Sequence, residues 1–412
     1  MTLDCKREYL EHNKETITMI KDSEKSLDSI PVGALGLVPI VGCEDLGNKV
    51  NRYLIQWRKE STIPHKNDLA FRGYESDNFI INHRLPRFGS GEGKGIINES
   101  IRGKDVFILV DVMNYSVTYS ITGHINRMSP DDHYQNLKRI IAAIEGKARR
   151  VNVIMPFLYE SRQHGRSNRE SLDCALALQE LQRMGVDNII TFDAHDPKVQ
   201  NAIPLCGFET VPPIYQFIKG LLRFVPDLKI DNKHMMAISP DEGGTNRAVY
   251  LANVLGLDMG MFYKRRDYSR IVDGRNPIVA HEFLGSDVSG KDVIIIDDMI
   301  SSGDSILEVA YELKRRNANR IFAASSFGLF TNGLSKFDKA YEDGVISKIL
   351  TTNLIYQTPE LLSREYYISC DLSKYIALLI NTLNHDRSIS KFLNPVDRIN
   401  TIVAKYQRGE KV

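Results

Sequence analysis

The chain has 412 residues, too long for one ordinary domain and suited to two medium ones, each able to bury its own core. Its 42% hydrophobic and 25% charged residues are those of an ordinary globular protein, not of a disordered or membrane chain. A formal net charge of +1 argues against a dedicated nucleic-acid binder, which carries a basic surplus or stripe.

The segment after Met1 is polar, carries both charges and lacks an apolar core of signal-peptide length. No later run is long enough to span a bilayer. Cys5, Cys43, Cys174, Cys206 and Cys370 are scattered without metal-ligand or redox spacing, which fits free thiols in a reducing compartment. These features predict a cytoplasmic protein with no membrane and no nucleic-acid partner.

Down to Pro31, charges alternate with Leu10, Ile17, Ile20 and Leu27, the pattern of one or two appended helices. From Leu35 the regime changes. LGLVPIVG reads as a buried strand and Leu46 to Lys59 as a helix. Then come a strand over Val106 to Val112, a helix over His133 to Ile144, a strand over Val151 to Phe157, a helix over Leu172 to Met184, and a strand over Asn188 to Ala194. A second series has strands at Met235 to Asp241, Met259 to Arg265, Val293 to Met299 and from Arg320, with helices over Asn246 to Leu255 and Ile306 to Arg316. Apolar strands alternating with helices predict two α/β units in tandem, each a mainly parallel sheet flanked by helices. Pro212 and Pro213 lie near the junction, and the helix after them opens the second unit. The stretches before Phe88 and between Asn114 and Asp132 read as loop insertions without assignable chemistry.

The chemistry concentrates after Val293. Four apolar residues place Asp297 and Asp298 at the carboxyl end of a buried strand, the edge where open α/β sheets bind ligands. The turn Ser301-Ser302-Gly303-Asp304-Ser305 has only short side chains and precedes a helix, so its N–H groups and the helix dipole suit a phosphate. The two carboxylates can accept hydrogen bonds from vicinal hydroxyls such as those of ribose. Serines that merely cap the helix are the bland alternative.

DDMISSGDS resembles the phosphoribosyl-binding signature of the type I phosphoribosyltransferase fold. FGSGEGKGIINESIRGKDVFI, ESRQHGR, TFDAHD, ISPDEGGTNRA and YKRR follow the order and approximate spacing of the ribose-phosphate pyrophosphokinase family, from about Leu35 to Leu383. The resemblance implies two tandem type I phosphoribosyltransferase-like domains, residues 35–208 and 209–385, between an extension (1–34) and a tail (386–412). It implies Mg2+ as cofactor, ATP and ribose 5-phosphate as substrates, and a homo-oligomer in which the Phe88 loop reaches a neighbouring subunit.

Its residues carry over as follows. Phe88 and Glu92 would take adenine by ring stacking and by accepting from an exocyclic amine; a flexible glycine-rich surface loop is the alternative. Arg162 and Gln163, after the strand at Val151, would meet ATP phosphates. His195 and Asp241 would hold the metal, although sequence alone reads His195 as a hydrogen-bonding residue. Lys264 and Arg266 would be catalytic, stabilising charge on the transferred group. Asp297, Asp298 and the turn Ser301, Ser302, Gly303, Asp304 and Ser305 would bind ribose 5-phosphate. His164 stands where the family has aspartate, and Asp304 where glycine is usual. An Asp304 turned away from the phosphate is the geometry compatible with an enzyme. A regulatory, non-catalytic relative and a phosphoribosyltransferase consuming phosphoribosyl pyrophosphate remain the alternatives.

Overall fold

A computed structural model describes residues 29–61, 68–166, 168–266 and 278–412, with the side chains of 264–266 and 278–281 left undescribed. The expected N-terminal helices up to residue 28 lie outside the described residues.

The first unit begins at β1 (Ala34–Pro39) and the helix Glu44–Glu60, whose apolar stripe Leu46, Val50, Leu54 and Trp57 is buried. A short pair, β2 (His83–Arg84) and β3 (Ile96–Ile97), leads to β4 (Lys104–Leu109). A second hairpin follows, β5 (Thr118–Ile121) with β6 (His124–Arg127), before the helix Pro130–Ile144, which starts on a capping box between Ser129 and Asp132. Three more strands complete the sheet: β7 (Arg150–Ile154), β8 (Asn188–Phe192) and β9 (Gly207–Val211). The order is β1-β4-β7-β8-β9 and every pairing is parallel.

The second unit follows Pro212 and Pro213 with the helix Ile214–Phe224. Its strands are β10 (Met235–Ser239), β11 (Asp258–Arg266), β12 (Ile278–Leu284), β13 (Asp292–Ile300), β14 (Ile321–Gly328), β15 (Lys348–Thr352) and β16 (Tyr367–Cys370). They lie in the order β12-β11-β10-β13-β14-β15-β16, parallel throughout except for the edge pair β11–β12. β13 sits at the centre, and Val293, Ile294, Ile295 and Ile296 are buried on both faces, as a near-continuous apolar run requires.

The expected boundary at 208/209 cuts β9, which hydrogen-bonds to β8 through Val211. The first unit therefore runs through Val211, and the break falls at the two prolines, which offer no N–H to a sheet. The tail also differs from expectation. Val396–Gln407 is a helix packed on Ile214–Phe224 and Thr245–Leu255, and so belongs to the second unit. The insertion between Asn114 and Asp132 is not all irregular, since it holds β5 and β6.

One buried apolar cluster runs from the first sheet through Ile214, Phe217 and Leu221 to β10, β13, β14 and β15. A second covers the opposite face of the second sheet with Leu313, Phe337 and Ile349. The units are tied by Arg58, fully buried, whose Nη2 donates to Asn384 Oδ1 at 2.6 Å. Burial lowers its guanidinium to about 10. No helix among the described residues is long and apolar enough to cross a membrane.

Candidate functional site

β13 delivers Asp297 and Asp298 to the carboxyl edge of the second sheet, with Asp297 level with Ser325 on β14. After Ile300 the chain turns and the helix Asp304–Arg315 begins. Gly303 makes the turn possible: its φ is +86°, and a Cβ there would lie 2.1 Å from the Phe337 ring. The N–H groups of Ser302 and Gly303 have no hydrogen-bond partner among the described residues, as an anion cradle needs. Ser302 Oγ accepts from Asp304 N at 3.4 Å.

The Asp304 carboxylate lies 2.6 Å from Lys336 Nζ. That bond holds its carboxyl below the usual range, so the charge is paired at the turn and also favours the helix dipole.

The first unit meets this edge with the loop after β8. His195 Nδ1 lies 2.6 Å from Asp298 Oδ2, and Asp298 is only 3% exposed. The contact raises His195 above the ordinary imidazole range, while the His195 hydrogen bond and Arg247 outweigh burial to hold Asp298 low. Asp298 is thus ionised and engaged. Asp297 differs: burial first, then the charges of Asp298 and Asp241, push it well above the carboxylate range.

Arg247, near the start of the helix Thr245–Leu255, fastens the two units. Its Nε donates to Asp193 Oδ1 at 2.8 Å and its Nη2 to the Ala194 carbonyl at 3.1 Å, with Asp298 Oδ2 at 4.0 Å. Ser326 Oγ donates to the other Asp193 oxygen at 2.5 Å. Asp193 itself takes a left-handed backbone, φ 42°, and its burial raises its carboxyl despite Arg247. A cavity of about 680 Å³ opens beside His195, Asp193, Arg247 and Glu242.

His164, Arg162 and Gln163 lie in the loop after β7. The His164 ring is 5.2 Å from that of His195, and the Arg162 charge is felt at His195, so this loop borders the same site. Gln163 Nε2 is spent on its own loop, donating to Ser171 O at 2.7 Å. Asp241 follows β10, and its Oδ1 accepts from Gly244 N at 3.2 Å. Phe88 and Glu92 share no hydrogen bond, ion pair or ring contact with these residues; their turn packs on the β5–β6 hairpin. Lys264 and Arg266 fall on β11, opposite His281 and Ile278, and their side chains lie outside the described residues.

Among the described residues no three His, Cys, Asp or Glu side chains are grouped to hold a metal. The donors nevertheless fit a cation that arrives with phosphates. Asp241 and Asp297 are close enough for mutual repulsion, and the His195 Nε2 has no hydrogen-bond partner among the described residues, while magnesium keeps several waters and needs few protein ligands. Sequence reasoning passed over Asp193, Arg247, Ser326 and Lys336. TFDAHD and GGTNRA contained the first two, one at the end of a strand and one opening a helix.

Two family models match. Residues 40–185 fit the N-terminal domain of ribose phosphate pyrophosphokinase and residues 208–364 fit a phosphoribosyl transferase domain. The chain is 29% identical over 318 residues to the ribose-phosphate pyrophosphokinase of Vibrio cholerae, covering 75% of this chain and 90% of that one. The enzyme of the same name from Pasteurella multocida is 29% identical over 311 residues, covering 74% and 88%. The crystal structure of phosphoribosylpyrophosphate synthetase from Mycobacterium smegmatis superposes with a TM-score of 0.65 at 19% identity, over 85% of this chain and 99% of that one, and so shares the fold. With both domains of the enzyme matched in order and the paired carboxylates in place, the chain belongs to the ribose-phosphate pyrophosphokinase family of transferases.

Proposed function

We propose that the protein transfers the diphosphoryl group of Mg-ATP to the 1-hydroxyl of ribose 5-phosphate, giving phosphoribosyl pyrophosphate and AMP. The observation that carries this reading is the β13 edge: two adjacent carboxylates followed by a turn with unspent N–H groups, its one anion paired with Lys336. Asp297 and Asp298 accept from the ribose hydroxyls, and Ser301, Ser302, Gly303, Asp304 and Ser305 surround the 5-phosphate, mostly through backbone N–H. The anomeric oxygen forms a bond to the β-phosphorus, the bond from that phosphorus to the bridging oxygen of AMP breaks, and the hydroxyl proton leaves to water. Lys264 and Arg266, on β11 beside β10, stabilise the charge that spreads over the moving group. Arg162 and Gln163 border the ATP phosphates, and Phe88 with Glu92 takes the base.

His195 and Asp241 would hold Mg2+, which would supply neutralisation of phosphate charge when bound. Catalysis is positioning plus electrostatics. The same reading makes the protein a cytoplasmic homo-oligomer.

The test is incubation with ribose 5-phosphate, ATP and magnesium, followed by measurement of AMP. No AMP above background, with ligand binding intact, replaces the enzyme by a regulatory relative. In an active protein Lys264→Ala lowers kcat by roughly 100- to 1,000-fold while ribose 5-phosphate affinity holds. Equal losses in both would remove Lys264 from its role.

A further inference from the structure

The sequence treats FGSGEGKG as loop and the stretch after Asn114 as an insertion without chemistry. The structure joins the two. Phe88 N donates to Glu92 O and Gly91 N to Phe88 O, both at 2.8 Å, closing a tight turn that leaves Phe88 58% exposed. The turn rests on the β5–β6 hairpin, whose Thr122 N donates to Gly89 O at 2.9 Å. Gly91 has φ +92°, and a Cβ there would come within 2.9 Å of Ile121. Gly93 lies so near the Arg139 guanidinium that a Cβ would sit 2.5 Å from it. These glycines therefore serve close approach, and the turn is held from two sides.

Arg87 joins the pieces. Its Nη1 donates to Gly91 O at 3.0 Å, its Nη2 lies 3.0 Å from Asp132 Oδ1, and its guanidinium stands 4.1 Å from the centre of the Tyr119 ring on β5. Tyr119 Oη reaches both Asp132 oxygens at 3.2 Å. The Arg87 side chain is only 11% exposed, so these contacts form in a half-dry environment where they count for more than at an open surface.

We propose that the β5–β6 hairpin is the scaffold that positions the base-reading turn Phe88–Glu92, with Arg87 as its central positioning residue. The inference rests on the reading that Phe88 and Glu92 receive the adenine. A glycine-rich turn left free loses its freedom each time a nucleotide binds, which weakens binding; the hairpin removes that freedom in advance. An exposed aromatic ring then stays presented for stacking, with the Glu92 carboxylate, steadied by Ser90 Oγ at 2.9 Å, beside it.

The hairpin can be excised cleanly, because Met128 N donates to Val117 O at 2.8 Å across its base. Residues 118–127 are replaced by Asn-Gly, and Arg87→Ala and Phe88→Ala are made separately in the full chain. Steady-state assays with ATP, GTP and ribose 5-phosphate give KM and kcat for each. Excision raises KM for ATP about 10-fold or more and narrows the ATP-over-GTP preference, while kcat at saturating ATP and KM for ribose 5-phosphate stay within about twofold. Arg87→Ala acts in the same direction by about 3- to 10-fold, and it decides the matter if the excised protein does not fold. An unchanged KM for ATP in both, with Phe88→Ala raising it, overturns the scaffold and leaves the base reading standing. A Phe88→Ala protein with unchanged KM for ATP overturns the base reading and the scaffold with it. Parallel losses in kcat and in both KM values mark a merely structural hairpin and also overturn the proposal.

Discussion

The two sheets present the same edge to the same kind of place, yet treat a carboxylate there in opposite ways. At the end of β4, Asp111 is buried and accepts from Met113 N at 2.9 Å and from Tyr356 N, in the second unit, at 2.7 Å. Burial pushes it up to about 7, and Asn114, three residues on, donates to Gly42 O at 2.8 Å. At the end of β13, Asp298 is held ionised by His195 and Arg247, Asp297 is left repelled by its neighbours, and the turn's N–H groups are unspent. At the first, the carboxylate is satisfied by backbone N–H groups. The other leaves its polar groups for a ligand, and that difference, more than the shared fold, locates the chemistry.

The strongest way to break this contrast is to remove Asp297. Asp297→Ala leaves a ribose hydroxyl without its partner at about 1–3 kcal/mol, so kcat/KM for ribose 5-phosphate falls roughly 5- to 150-fold. A loss under about threefold would mean that the ribose is held elsewhere. Asp111→Ala provides the counterpart. It strands two partly buried N–H groups at about 1–3 kcal/mol, which lowers the urea midpoint, while kcat/KM of the folded protein stays within about twofold. A large kinetic loss with unchanged stability would make the first edge functional as well.

The His195–Asp298 pair sharpens the contrast through pH. The folded pKa of His195 is raised above its unfolded value near 6.5. Its contribution is therefore fully present below about 6.5 and is lost as pH rises through the folded value. The Tm advantage of the protein over a His195→Gln variant is largest near pH 6 and shrinks towards pH 9, by scanning fluorimetry. An advantage that grows with pH would show that His195 is neutral in the fold.

The β13 edge was legible because it is local: strand, carboxylates and turn occupy Val293 to Ser305 in one run. Apolar runs also revealed eight of the twelve strands in the two main sheets, though not β9, β12, β15 or β16. β9 was hidden because GFETV carries little apolar signal and sits against the two prolines. The β5–β6 hairpin turns on Thr122 and Gly123, both with positive φ, a pair less telling than Asn-Gly. The domain fastening could not be read at all, since Arg247 meets Asp193 across 54 residues and Ser326 meets it across 133. Nothing local marks such partners. Lys336, 32 residues from Asp304, is hidden for the same reason, and it changes what Asp304 means.

That last pair supports the smallest and most discriminating prediction. Asp304 stands where the family has glycine, so a bare anion there would repel the 5-phosphate and Asp304→Gly would tighten ribose 5-phosphate binding by tenfold or more at low salt. With its charge paired to Lys336 and nearly half its side chain exposed, the repulsion is screened. Asp304→Gly then shifts KM by less than about twofold, whereas Lys336→Ala, which uncovers the anion, raises it more than Asp304→Gly lowers it. Titrating salt separates the cases: the Lys336→Ala defect fades as ionic strength rises, because exposed charges are screened within a Debye length of about 10 Å at 0.1 M. A tenfold gain in Asp304→Gly would place the carboxylate against the phosphate, and the paired turn of β13 would lose its place as the open edge.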